Sequence, residues 1–322
     1  NKCISIDKIS DFTGSQNITA NNNKYLRLFW EVENRRIKDF RWVFYAKGGE
    51  FRKHYGNLDN VVDWSIEARH FYKNNSTSNL LDEKYWYKEG ITYNGISIKG
   101  TGFRYLPEGC VFDKGGPTIN YVNNLYYVLA LLNSKITTVF LSLLNPTINI
   151  QVKDIKNIPI IISDKYLDTV EYIEKNNIDM SKTDWDSFET SWDFKKHPLL
   201  TYKKGVDKIE GAFNNWSAFA NQQFNQLKAN EEELNRIFIE IYGLQDELTP
   251  YVDDKDVTIT RIYDSKEDIP ESMKGNNYVL TREDVIKSFI SYAVGCMFGR
   301  YSLDEEGLIY AGGDFDDKFR LR

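Results

Sequence analysis

An α+β chain is what these 322 residues predict: a mixed α/β domain over 1–162, followed by a mainly helical domain over 163–322. Three observations predict it. Short aromatic and β-branched runs, broken by turn residues, fill the first half and read as strands. Apolar residues three and four apart dominate the second half, as on helices with one buried face. The charge also changes sign: of 41 Lys and Arg and 47 Asp and Glu, about 21 and about 15 fall in residues 1–160, leaving about 20 and about 32 for the rest.

In chain order, Leu26 to Val32, Arg41 to Tyr45 and Val61 to Trp64 read as strands, with a turn at Asn57 to Asn60. Residues 74–79 are polar and read as a loop. Residues 91–113 read as a glycine-punctuated sheet made of Ile91 to Tyr93, Ile96 to Ile98, Phe103 to Tyr105 and Cys110 to Phe112. One helix is expected over 121–144, where Leu125, Val128, Leu129, Leu132, Ile136, Val139, Phe140 and Leu143 keep helical spacing ahead of Pro146. Residues 148–162 read as strand again, with Ile158-Pro159-Ile160 at an edge. A second helix is expected near 213–242, stopped by Gly243. A third starts at Thr281, whose Arg282-Glu283-Asp284 gives it an acidic first turn and which ends at Gly299. Residues 251–280 read as loop-rich.

The three cysteines (Cys3, Cys110, Cys296) are far apart and the three histidines (His54, His70, His197) are scattered. That argues against a zinc site or a disulfide framework and for the reducing cytoplasm. No apolar run of membrane-spanning length and no signal peptide is evident. A first residue of Asn rather than Met suggests a piece of a longer protein.

Catalytic constellations are missing from the sequence. Methyl transfer to adenine calls for a glycine-rich donor loop and an Asn-Pro-Pro-aromatic motif that holds the extruded base. Asn145-Pro146-Thr147-Ile148 lacks both the second proline and the ring, and reads as a helix-terminating turn. No G-x-G-x-x-G or Walker loop occurs. Metal-dependent nuclease chemistry needs clustered carboxylates beside a lysine. Glu50-Phe51-Arg52-Lys53 has the wrong spacing for that, and Asp82-Glu83-Lys84 lies outside any strand. No catalytic residue and no metal ligand is assigned.

Contact with nucleic acid has better candidates. In the run 47–56, the turn Gly48-Gly49 is crowded by Lys47, Arg52, Lys53 and His54, with Phe51 and Tyr55 between them. Cations for phosphates and flat rings beside a turn where the backbone can approach a ligand suit such a surface. Arg27 and Arg41 belong to a basic stretch just before it. Lys99, Arg104 and Lys114 decorate the glycine-rich sheet, where Asn94, Thr101 and Thr118 could bond base edges. Asn149, Gln151 and Lys153 alternate on the strand expected there, placing two amides and a cation on one face.

Several long stretches carry a family likeness: Tyr25-Leu26-Arg27-Leu28-Phe29-Trp30-Glu31-Val32, the run 47–56, Leu131-Leu132-Asn133-Ser134-Lys135 and Asn145 through Ile160. The acidic half adds Asp184-Trp185-Asp186-Ser187-Phe188-Glu189, Asn230 through Gly243 and Ser291 through Tyr301. Together they resemble the region beyond the catalytic domain in the PglX family, the adenine-specific DNA methyltransferases of bacteriophage-exclusion (BREX) systems, related to type IIG restriction–modification enzymes. The resemblance covers nearly the whole chain. It implies a DNA target-recognition domain followed by a helical domain, with double-stranded DNA as partner. It also implies an S-adenosylmethionine-binding methyltransferase domain elsewhere in the parent, leaving this chain without cofactor or catalytic residue of its own. The competing expectation is a protein-interaction module that docks other phage-exclusion proteins.

Overall fold

Four small sheets and ten α-helices are laid out along the chain among the residues that the computed structural model describes: 3–12, 16–95, 99–145, 147 and 150–310. The first part runs β1 (Ile4–Ser5), β2 (Asp11–Phe12), α1 (Asn22–Tyr25), β3 (Leu26–Leu28), α2 (Asn34–Lys38), β4 (Trp42–Ala46), β5 (Asn60–Asp63) and α3 (Ile66–Asn74). Then come β6 (Gly90–Tyr93), β7 (Phe103–Leu106), β8 (Val111–Phe112), β9 (Thr118–Asn120), α4 (Leu125–Leu132), α5 (Lys135–Leu144), α6 (Val152–Lys156) and β10 (Pro159–Ile160). The rest is α7 (Leu167–Trp185), α8 (Pro198–Thr201), α9 (Ile209–Tyr242), β11 (Arg261–Tyr263), β12 (Val279–Thr281) and α10 (Arg282–Met297). The α+β class expected from the patterning is the class observed.

The chain forms two units, and no single position divides them. One comprises residues 1–27, 40–179 and 230–251, the other 28–39, 180–229 and 252–322. The sequence suggested one boundary after residue 162. The helix α9 explains the difference: its 34 residues are continuous, with 209–229 in the second unit and 230–242 in the first.

The first unit holds two four-stranded sheets, ordered β2-β9-β6-β7 and β3-β5-β4-β8. β6 pairs antiparallel with both β7 and β9, and every residue of β6 is buried. In the other sheet β4 pairs antiparallel with β5 (Val43 opposite Val62) and parallel with β8 (Tyr45 opposite Val111). Val43, Tyr45, Val62 and Val111 join Trp64, Tyr72 and Trp86 in one core, with Trp64 edge-on to Trp86 at 5.2 Å. Such aromatic pairs add about 0.5–1.5 kcal/mol to the area they bury.

The strand expected from Leu26 to Val32 is β3 followed by a 3-10 turn at Phe29–Glu31. Two further elements differ from the sequence reading for identifiable reasons. The single helix expected over 121–144 is two, α4 and α5, meeting at 66°. Asn133 ends the first because its amide clamps β7: Nδ2 donates to the Phe103 carbonyl and Oδ1 accepts from the Phe103 N–H, both at 3.0 Å. Ser134 and Thr137 then donate their hydroxyls to the Leu131 carbonyl, at 2.6 and 2.7 Å, which satisfies a carbonyl at the break. The strand expected over 148–162 is instead helix α6 followed by the two-residue β10. Asp154 selects the helix: its carboxylate accepts from the Gln151 N–H (2.8 Å) and the Asn145 amide (2.7 Å), a capping arrangement at the first turn. No single helix among the described residues is long and apolar enough to cross a membrane.

The second unit packs the early part of α9 (Phe213, Trp216) against Ile262 of β11 and Val285 of α10. The expected capping of α10 is present, with the Thr281 N–H donating to Asp284 Oδ2 at 2.9 Å. Residues 251–280, expected to be loop, carry β11 in parallel register with β12. The acidic stretch 184–194 contributes Asp184, which accepts from the Thr260 N–H at 2.9 Å.

Replacing Asn133 with Ala removes the acceptor of the fully buried Phe103 N–H and one of the two donors to its carbonyl, which keeps the His54 N–H. The expected loss is about 1–3 kcal/mol in stability, read from urea unfolding, with the m-value unchanged.

Candidate functional site

The basic run 47–56 splits into two environments. Its second part turns inward. His54 is fully buried, between the carboxylates of Glu174 on α7 (Nδ1 to Oε1, 2.8 Å) and Glu231 on α9 (Nε2 to Oε1, 3.0 Å). Lys53, also buried, pairs with the second oxygen of Glu231. Two cations thus face two anions, which is the condition for burying such charges at all. Burial opposes charging His54, but the Glu174 carboxylate and the bonds to both acids outweigh it and lift the pKa to about 9. Burial likewise opposes the Glu231 carboxylate, and Lys53 with His54 overcomes that and holds its pKa below the ordinary value. The other buried histidine, His197, has no such acid, and desolvation lowers it to about 4. His54 also takes a left-handed φ of 66°, held by backbone bonds to Phe103 and Tyr105 at 2.8 Å each.

Arg52 and Arg104 are interior too. Arg104, 1% exposed, donates to the carbonyls of Arg52 (3.3 Å) and Gly102 (3.4 Å) and to Asn94 Oδ1 (2.8 Å). Asn94 in turn donates to the carbonyls of Gly49 (2.7 Å) and Glu50 (3.1 Å), so its amide braces the 47–50 turn from inside. Tyr55 is buried. For Arg52, Lys53, Tyr55 and Arg104 the geometry is that of a structural brace, and the phosphate or base contacts expected of them find no exposed surface; Asn94 braces too, though it also lines the cleft.

The first part of the run faces outward, into a cleft of about 760 Å³. One wall is Lys47-Gly48-Gly49 and another Asp113 to Pro117. Asn94-Gly95 and Ile150-Gln151-Val152 form the remainder, and Gln16 also lines it. Two glycine turns cross here at backbone contact. A Cβ on Gly48, whose φ is +89°, would lie 2.5 Å from the Gly115 carbonyl, and one on Gly115 would lie 2.6 Å from the Lys47 carbonyl. These glycines therefore admit another loop, where the sequence suggested the approach of a ligand. Asp113 organises the crossing: Oδ1 accepts from the N–H groups of Gly115 (2.6 Å) and Gly116 (3.3 Å), and Oδ2 pairs with Lys47 at 3.1 Å. Thr118 donates to the Gly116 carbonyl at 3.3 Å and is spent internally.

Four of the expected contact residues, Lys47, Asn94, Lys114 and Gln151, thus meet at one cleft from segments scattered over about a hundred residues. Lys114 and Gln151 are exposed, and neither side chain has a hydrogen-bond or ion-pair partner among the described residues. Lys153 is exposed on α6, two residues beyond Gln151; the strand alternation expected of 149–153 is replaced by the helix. Lys99 is exposed after β6. Arg41 is exposed and paired with Asp63 at 3.2 Å, and Arg27 turns back on the Asn23 and Leu26 carbonyls. Asn149 lies outside the described residues. The sequence reading missed Gln16 and Asp113. The Asp113-Lys114-Gly115-Gly116 order, an acid ahead of paired glycines, is a turn signal that pointed to the second wall. No group of His, Cys, Asp and Glu able to hold a metal ion occurs among the described residues.

Two outcomes follow from this geometry. His54 contributes stability that is fully present below its unfolded pKa of about 6.5 and is lost as pH rises through about 9. Glu231 contributes stability that is present above the ordinary carboxylate pKa and lost as pH falls through its lowered value. Urea midpoints against pH should show both arms, and Glu174→Gln should remove most of the alkaline one. Gly48→Ala, which meets backbone at a positive φ, should cost about 1–3 kcal/mol in thermal unfolding.

No family model matches the chain. Among curated proteins it is 38% identical to the adenine-specific methyltransferase PglX of Lacticaseibacillus casei (strain Zhang), over 92% of this chain and 25% of that protein. It is 34% identical to the adenine-specific methyltransferase BrxX of Escherichia coli O9:H4 (strain HS), over 84% of this chain and 22% of the relative. The chain spans about a quarter of the length of the curated relatives it matches.

Proposed function

Because this chain belongs, through the quarter-length segment it matches, to the PglX/BrxX family of adenine-specific methyltransferases, we propose that its first unit recognises the DNA target of such an enzyme. The observation that carries the reading is the cleft, which draws Lys47, Lys114 and Gln151 from three distant segments to one open surface. Lys114 and Lys153 supply charge for phosphates, and the amides supply donors and acceptors for bases. Methyl transfer belongs to the remainder of such a protein, with S-adenosylmethionine as donor. The residues of this chain do not fit a donor site, since they include no glycine-rich donor loop and Asn145-Pro146-Thr147-Ile148 departs from the adenine-holding motif. A reducing cytoplasm, expected from the separated cysteines, suits that role.

A second reading has an observation of its own. Ile290, Val294, Met297 and Phe298 are exposed at spacings of four, three and one along and just beyond α10. An apolar stripe of that kind suits docking of another protein, including other phage-exclusion proteins.

The distinguishing measurement is duplex binding by this chain across a salt series. Lys114→Ala with Lys153→Ala should weaken binding to all sequences and flatten the slope of log K against log salt, by about 0.9 for each phosphate no longer neutralised. Lys53→Met should act instead on stability, by about 3–5 kcal/mol, because it leaves buried charge unmatched. Unchanged binding and slope in the double variant would contradict the DNA reading and favour the docking one.

A further inference from the structure

Resting on that reading of the cleft, we infer that Gln151 is a specificity-determining residue that reads an adenine through its N6 amino group and N7. Three observations single it out. The cleft has few side chains with bonding capacity to spare: Lys47 and Asp113 hold each other, and the Asn94 amide is used on Gly49, Glu50 and Arg104. Among the described residues, Gln16, Lys114 and Gln151 line it with side chains that have no hydrogen-bond or ion-pair partner. Of these, Gln151 is fixed at its base and free at its tip. Its N–H donates to Asp154 Oδ2 at 2.8 Å and the preceding Ile150 N–H to the Gly95 carbonyl at 2.9 Å, while its side chain is exposed.

A reader of bases needs that combination. Its backbone must be placed by the fold, and its polar atoms must be unspent. A glutamine amide offers one donor and one acceptor side by side, which matches adenine N7 and N6–H₂ and no other base edge as well. Lys114, across the same cleft, is a point charge for a phosphate and brings no base preference. The adenine edge can be offered by a stacked base pair or by an unstacked nucleotide entering the concave cleft; the chemistry that Gln151 meets is the same.

Selection of bound sequences from a random duplex library by this chain tests the assignment. The expected result is an enriched motif containing an adenine whose preference falls by about one to two orders of magnitude in Gln151→Ala. In Gln151→Glu, which can only accept, the preference should move towards cytosine. A merely structural role would not produce that exchange. A motif kept intact by both variants would overturn the inference and leave the DNA reading standing, as would duplex binding without any motif. No duplex binding by the parent chain would overturn both. Titration with 5′-AMP separates the sources: saturable shifts of the cleft amides that compete with duplex mark an unstacked base, and their absence alongside an adenine-bearing motif marks a stacked one.

Discussion

Two cations and two carboxylates, withdrawn from water, set the structure of the first unit. Lys53 and His54 come from the run that follows β4, Glu174 from α7 and Glu231 from α9, so the pairing joins segments 120 and more residues apart. Charges that are buried cannot be left unmatched at a cost of only a few tenths of a kcal/mol; each missing partner costs several. The segment is therefore fixed at 53–54. From that anchor Arg104 reaches the Arg52 carbonyl and Asn94, and Asn94 reaches the 49–50 carbonyls. The chain from 54 back to 52 and the hydrogen bonds of Arg104 and Asn94 together lead from the buried ions to the wall of the cleft. The cleft keeps its shape because Asn94 and Asp113 spend their polar atoms on its walls, while Lys114 and Gln151 face outward.

What could be read in the sequence was what depends on neighbours. The Thr281 cap with Asp284 three residues on, the stop at Gly243 with its φ of +69°, and the buried face of α9 (Phe224, Leu227, Leu234, Phe238) are local physics, and all are present. So are β4, β5, β6 and β7, where aromatic and β-branched content is decisive. What could not be read depended on partners far along the chain. Asn133 interrupts an otherwise continuous helical stripe because β7, thirty residues earlier, takes its amide. The acids of α7 and α9 turn a basic run, on its face a solvated patch, into an interior brace. The turn at Gly48-Gly49 was legible as a turn, but the crossing of a second glycine turn over it was not.

The site was legible to the same degree. Residue types suited to nucleic acid were present in excess, and composition alone could not sort them. Burial does the sorting: Arg52, Lys53, Tyr55 and Arg104 go inward, Asn94 lines the cleft with its amide spent on the 49–50 turn and Arg104, and Lys47, Lys114 and Gln151 remain at the cleft. The sign of charge in the first 160 residues thus overstates the charge that reaches its surface, since part of it neutralises carboxylates of α7 and α9. On the proposed DNA reading, a surface with fewer cations would rely more on shape and on amides, which favours discrimination among bases over general attraction to phosphate.

Backbone amide chemical shifts of the labelled chain, followed through titration with duplex DNA, test this account most directly. The account predicts that perturbations gather at 47–49, 113–117 and 150–153 while the amides of 52–54 stay unmoved. Perturbations centred on α10, or spread without preference over the exposed lysines and arginines, would contradict it.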